Sequence, residues 1–534
     1  MYQDNKILIG KSGEENVYIY PQMANRHGLI AGATGTGKTV TLKVMAESFS
    51  DCGIPVFLAD AKGDLAGMCN AGAMNDNLRS RIGSLGLENF DFHGYPSVFW
   101  DVYGKKGMPL RTTISEMGPL LLSRVMDLNN TQTDILTVVF KIADDQNLLL
   151  IDTKDLRSML QYVGENAKEF SMEYGNISKQ SLSAIIRSVV ALEAEGGEQF
   201  FGEPALDIRD WLCTDCNGKE KISILDCQKL MQNPTMYATF MLWMISELFE
   251  TLPEAGDCAK PKMIFFFDEA HMLFDHAPKA LLSKIEQVVK LIRSKGVGIF
   301  FITQNPRDIP DSVLAQLGNK VQHALRAYTP AEQKAAKAAA LSFRENPQFD
   351  TYDTLTQLGI GEALISVLDE QGIPTIVKKC KILPPQSQMN VLSDADRDQQ
   401  IKGNLLYSKY CQAIDRDSAY EFLQRKSIED LQAKEKAEAE AAAQKQREKE
   451  EAAAQKQHEK EEAAALKKKE REEAAQMKRA RSAVTRTASS VAGTIGRELG
   501  NEVGKTLGGS FGKRLGGNVG ASLGRGILNT LFKL

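Results

Sequence analysis

The stretch Gly32-Ala33-Thr34-Gly35-Thr36-Gly37-Lys38-Thr39 constrains this chain more than any other. It follows the apolar run Leu29-Ile30-Ala31 and precedes Val40-Thr41-Leu42-Lys43-Val44-Met45-Ala46-Glu47, which favours a helix. G-x-x-x-x-G-K-[ST] between a strand and a helix is the spacing of a P-loop. Gly32, Gly35, Thr36 and Gly37 let backbone N–H groups turn inward on phosphate oxygens, and the helix N-terminus adds a favourable dipole. Lys38 is expected to reach the β- and γ-phosphates, and the Thr39 hydroxyl to ligate Mg²⁺. A chain that carries this unit must build an α/β domain around a largely parallel sheet.

The second landmark is Met263-Ile264-Phe265-Phe266-Phe267-Asp268-Glu269. Five apolar residues in a row argue for a strand buried on both faces. An acid pair at its C-terminal end stands where ligands bind open α/β sheets. Asp268 is expected to hold the Mg²⁺ shell together with Thr39, and Glu269 is the candidate general base for an attacking water. Another buried strand, Gly298-Ile299-Phe300-Phe301-Ile302-Thr303, exits on Gln304, which either senses the γ-phosphate and water or simply caps the strand. Paired Asp268 and Glu269 favour water as the acceptor, hence hydrolysis over phosphotransfer. Asp60-Ala61-Lys62-Gly63 spells the D-x-x-G of a GTPase switch. Asn319-Lys320-Val321-Gln322 lacks the Asp of a guanine-reading N-K-x-D, so the expected cofactors are ATP and Mg²⁺.

With 534 residues, 43% hydrophobic and 25% charged, the chain suits a soluble protein of more than one domain. The opening Met1-Tyr2-Gln3-Asp4-Asn5-Lys6 has no secretory pattern, and no run of about eighteen apolar residues occurs. The expected location is cytoplasmic, with eight scattered cysteines as reduced thiols. Cys213, Cys216 and Cys227 fall short of the four ligands of a structural zinc, and Cys216-Asn217-Gly218 reads as a hairpin turn. The net charge of −4 divides into +5 for residues 484–534 (seven Lys/Arg, two Glu) and −9 for residues 1–483. So acidic a body does not by itself advertise nucleic-acid binding.

Residues 1–24 read as a β-hairpin lead-in and 25–390 as the ATPase domain. Within the latter, about 105–205 carries helical periodicity, opened by the capping box Thr113-Ile114-Ser115-Glu116. That block is too long for a loop and is expected to be a helical insertion. Gly359-Ile360-Gly361 begins a late hairpin, and Pro384-Pro385 closes the body. Residues 391–428 read as a helical extension. Residues 429–482 hold an eleven-residue repeat restarting at Glu440, Glu451, Glu462 and Glu473. Lys445/Glu448, Lys456/Glu459 and Lys467/Glu470 can pair across a turn, and without an apolar seam a solvated single helix is expected.

Residues 483–534 form a glycine-zipper tail with Gly at every fourth position from 496 to 524. Each Gly costs a solvated helix about 1 kcal/mol against Ala. The tail is therefore either a disordered segment or a surface that packs closely on a partner helix or a lipid face. Arg497, Lys505, Lys513, Arg514 and Arg525 suit an anionic membrane.

Three strings carry a family resemblance: Arg26-His27-Gly28-Leu29-Ile30-Ala31 running into the P-loop, Phe267-Asp268-Glu269-Ala270-His271, and Arg293-Ser294-Lys295-Gly296 running on to Gln304. They resemble the HerA/FtsK ATPases. Asp268-Glu269-Ala270-His271-Met272-Leu273-Phe274 and Gln316-Leu317-Gly318-Asn319-Lys320-Val321-Gln322-His323-Ala324-Leu325-Arg326-Ala327 are similar to the HerA-like helicase C-terminal domain family in particular. The likeness runs from about residue 15 to 390. It implies a RecA-like sheet with a helical insertion, a homo-oligomeric and usually hexameric ring, and ATP-driven DNA translocation. It further implies that a neighbouring copy sends an arginine to the γ-phosphate. Arg293 matches that finger, Arg26 a second arginine near the nucleotide, and Arg326 is a further candidate; each could equally form a surface or interface salt bridge. HerA helicases dock a nuclease on an N-terminal β-barrel. Only some twenty-five residues precede the motor here, which argues against a docked nuclease. A second function class stands beside the translocase: an ATP-gated assembly or scaffold acting on protein or membrane partners through its C-terminal tail.

Overall fold

The computed structural model describes residues 1–212, 219–256, 258–275 and 279–484. The Cys213–Cys216 pair, the turn at 217–218 and the glycine-rich tail from 485 onward lie outside the described residues. The chain divides into two units, 1–429 and 430–534.

The first unit is built on one sheet of thirteen strands. In chain order these are β1 (Tyr2–Gln3), β2 (Lys6–Ser12), β3 (Glu15–Ile19), β4 (Gly28–Ala31), β5 (Val56–Asp60), β6 (Ser97–Asp101), β7 (Met108–Pro109), β8 (Ile222–Asp226), β9 (Met263–Phe267), β10 (Val297–Thr303), β11 (Asn319–His323), β12 (Glu362–Ser366) and β13 (Lys378–Ile382). Their spatial order is β1-β2-β13-β12-β11-β4-β10-β9-β5-β8-β6-β7, with β3 on β2. From β11 to β7 every neighbouring pair is parallel. From β11 through β12, β13 and β2 the pairing is antiparallel. The N-terminal hairpin therefore extends the same sheet through β13.

Apolar runs produce this layout. β4, β5, β9 and β10 are buried at every position, as strands covered on both faces must be. Their rings interlock: Phe266 stacks on Phe300 at 5.2 Å, Phe267 on Phe301 at 5.7 Å, and Phe57 meets Phe265 and Trp211 at 5.1 and 4.8 Å. Helix α1 (Lys38–Asp51) follows the P-loop and is buried around most of its circumference, including Lys43 and Glu47. The Glu47 carboxylate accepts the N–H groups of Gln386 and Ser387 at 2.9 and 3.1 Å, tying the segment after β13 to this helix.

Between β7 and β8 lies the helical block: α2 (Asp76–Leu85) precedes it, and α3 (Ile114–Val125), α4 (Asn130–Asp145), α5 (Thr153–Glu165), α6 (Ala167–Tyr174) and α7 (Lys179–Leu192) form it. Thr113 and Glu116 make the reciprocal capping box at the start of α3, and Asn129/Gln132 and Asp152/Asp155 repeat the device on α4 and α5. Helix α3 kinks where Gly118, at φ +69°, meets Pro119. Between β9 and β10 a helix runs from Lys279 to Leu291 and tightens to a 3₁₀ turn over Ile292–Lys295.

A helix spans Ala419–Val484. In the second unit every residue from 430 to 478 is exposed, so the repeat is solvated all round. No helix among the described residues is long and apolar enough to cross a membrane.

Candidate active site

Every parallel strand delivers its C-terminal residue to one edge of the sheet, and the P-loop lies there. It is anchored by Gly32 N–H to Thr303 O at 3.3 Å and Ala33 N–H to Ala324 O at 2.8 Å. Gly32 needs its lack of a side chain: at φ +154°, a Cβ would stand 2.5 Å from the Cβ of His323. His323 braces the loop from below. Its Nδ1–H donates to Glu362 O at 2.9 Å and its Nε2 accepts the Thr41 hydroxyl at 2.8 Å. Burial holds this ring at about 4, outweighing the bond to Glu362, so the imidazole is neutral. The Lys38 ammonium lies inside the loop, donating to Gly32 O at 2.7 Å and Ala33 O at 3.2 Å. Burial lowers its proton affinity, and Glu269 opposes that drop.

β10, which ends beside Gln304, lies between the P-loop strand β4 and the acid-pair strand β9. This order brings Gln304 to Glu269, with Nε2 3.4 Å from Oε2. Glu269 takes a left-handed backbone at φ +49°. For a non-glycine residue such a conformation costs about 1–3 kcal/mol and persists where surroundings enforce it. Its carboxylate is held by the Lys62 ammonium at 2.7 Å, and Nδ1 of His271 lies 3.4 Å away. Burial alone would raise Glu269; Lys62, Gln304 and His271 outweigh it and hold the group below the ordinary glutamate range. Asp268 differs. Burial pushes it up to about 7, with Glu269 and Asp60 adding to the rise and Lys62 opposing it.

A desolvated carboxyl beside two others is a group that gains by exchanging its proton for a divalent cation. Among the described residues no three His, Cys, Asp or Glu side chains are placed to hold a metal together. A cation bound by Asp268 and Thr39 would thus take its remaining ligands from water and phosphate, the habit of Mg²⁺. The residues fit the group.

The arginines separate into two sets. Arg293 precedes β10 and Arg26 precedes β4, whereas the P-loop and Gln304 follow those same parallel strands. Seven residues of β10 span about 20 Å, beyond the reach of an arginine to the nucleotide edge of its own sheet. Arg326 follows β11 on the P-loop edge and donates to Thr356 O and Leu358 O at 3.1 and 3.4 Å. Next to these carbonyls, Gly361 N–H donates to Thr36 O at 3.0 Å.

The sequence assigns no role to three residues of the site: Lys62, His323 and Arg81. Arg81, from the surface helix α2, donates through Nε to Ile382 O at 3.0 Å and through Nη2 to Gly361 O, stiffening the turn against the P-loop. Lys62 had one signal, the D-x-x-G spelling, which pointed to a different nucleotide.

A G-x-x-x-x-G-K-T loop between strand and helix, with Asp268 and Glu269 on the same edge of one parallel sheet, defines the class, and the chain is a P-loop ATPase. The family model described as Helicase HerA-like C-terminal matches residues 5–515, and the chain belongs to that family. Two relatives are named DNA double-strand break repair helicase HerA. The protein of Sulfolobus acidocaldarius is 23% identical over 383 residues, 70% of this chain and 68% of its own length. That of Sulfurisphaera tokodaii is 22% identical over 401 residues, 71% of this chain and 70% of its own. A similar solved structure is the plasmid coupling protein TrwB in complex with the non-hydrolysable GTP analogue GDPNP, at 12% identity, TM-score 0.48, and 73% and 93% coverage of the two chains.

Proposed function

We propose that this ATPase works as a ring of identical copies, binds Mg²⁺ and ATP between neighbours, and couples hydrolysis to movement along DNA. Lys38 and the loop N–H groups bind the phosphates, and Asp268 with Thr39 holds the cation, which neutralises charge on the transferring phosphoryl group. Glu269 orients the attacking water with Gln304. The observation that carries the shared site is the placement of Arg293 and Arg26 at the opposite edge of the sheet. Arginines there serve a nucleotide only when it is bound to another copy. Membership of the HerA-like family and the two relatives named as repair helicases support DNA as the track.

Mixing two inactive variants tests the shared site. Glu269→Gln and Arg293→Ala are each expected to turn over at least about 100-fold more slowly than the unmodified chain. Combined, they should regain activity, because interfaces form that pair an intact Glu269 with an intact Arg293. An inactive mixture of exchanging subunits, or full activity in Arg293→Ala alone, would sink the proposal.

A further inference from the structure

Lys62 is the charged group in the active site for which neither the sequence motifs nor the proposed mechanism has a use. Its backbone is fixed. Asp60, at the end of β5, accepts the N–H groups of Lys62 and Gly63 through Oδ1 at 3.3 and 2.7 Å and that of Leu65 through Oδ2 at 3.1 Å. Gln228, beyond the neighbouring strand β8, donates to Lys62 O at 2.6 Å. Gly63 stands at φ +77°, a conformation that favours glycine, beside the Gln228 amide. The side chain reaches towards solvent: it is 44% exposed, against 11% for its partner Glu269.

Charge defines what this arrangement responds to. Lys38 and Lys62 both feel the charges of Asp268 and Glu269, and Asp64 acts on Lys62 as well. A terminal phosphate entering the loop adds negative charge where the half-exposed Lys62 ammonium is already paired with the carboxylate that must act on water. We propose that Lys62 is a γ-phosphate sensor: it neutralises Glu269 when no triphosphate is bound and transfers to the terminal phosphate of ATP, releasing Glu269 to Gln304 and the attacking water. ADP has no such phosphate and leaves the Lys62–Glu269 pair closed. No bond is made or broken in this exchange; one ion pair replaces another.

The inference rests on the ATP site alone, so failure of the ring or of DNA coupling would leave the following measurement unchanged. Full-length chains are titrated with a non-hydrolysable β,γ-imido analogue of ATP and, separately, with ADP, both with Mg²⁺. Lys62→Met should weaken the analogue about tenfold and ADP less than about twofold, the loss expected for one charge-assisted contact. Lys62→Arg keeps the cation and should hold the ratio of the two affinities within about threefold of the unmodified chain. Glu269→Gln frees Lys62 and should tighten the analogue more than ADP. In the double variant Lys62→Met/Glu269→Gln that gain should vanish. Equal losses for both nucleotides in Lys62→Met, or a gain that survives in the double variant, would overturn the sensor role. Because the double variant removes both charges, it tests the proposal even where an unpaired Glu269 destabilises the single one.

Discussion

Glu269 is the residue through which local backbone, electrostatics and chemistry meet. The strand that carries it ends in a left-handed turn, and Lys62 and Gln304 receive the carboxylate. Lys38→Ala should abolish nucleotide binding, measured by direct titration. Glu269→Gln should bind ATP and fail to release phosphate, and normal turnover in that variant would remove Glu269 as the water-directing group. These positions were legible in the sequence because their chemistry is local: the P-loop and the acid pair are runs of adjacent residues. Lys62, His323 and Arg81 were not, because the atoms they serve lie some 200 to 300 residues away in the chain.

His27 gives a pH test at the same scale. Its Nε2–H donates to Val289 O at 2.9 Å while its Nδ1 accepts Ile299 N–H at 3.0 Å, so the ring can only be neutral. Burial, helped by Arg293 and opposed by the Val289 bond, holds it at about 4. The unfolded chain protonates it nearer 6.5 and so binds more protons between those values. Its contribution is therefore full above about pH 6.5 and is lost as pH falls towards 4. In urea unfolding, the stability advantage over His27→Asn should shrink by up to about 3 kcal/mol across that window. A constant difference would contradict the neutral, buried ring.

At the scale of elements, β9 and β10 form the spine. Phe266 is fully buried between Phe49 and Phe300. Phe266→Ala should destabilise the first unit by about 3–5 kcal/mol in denaturant unfolding, and a loss below about 1 kcal/mol would show that this stack is dispensable. The runs that make these strands are plain in the sequence, as is the Thr113–Glu116 cap. Their order is not. That β10 inserts between β4 and β9 is decided by pairing across hundreds of residues, to which hydrophobic periodicity is blind. The same holds for the N-terminal hairpin: its alternation is readable, but its pairing to β13 is not.

At the scale of the whole molecule, residues 1–429 form the unit that holds the candidate active site, and residues 430–478 of the second unit are all exposed. Removing residues 430–534 should leave the steady-state ATPase rate and the unfolding midpoint of the first unit unchanged: of that segment's described side chains, 430–478, none is buried. A large loss of turnover would assign that unit a part in hydrolysis. What the motor acts on is the central question. The direct measurement is the steady-state ATPase rate of the full chain with and without single- and double-stranded DNA, using Glu269→Gln as the blank. A translocase is expected to hydrolyse ATP several-fold faster with DNA, with the gain lost at high salt as phosphate contacts are screened. A rate indifferent to both forms of DNA would contradict the DNA motor and direct attention to protein or membrane partners.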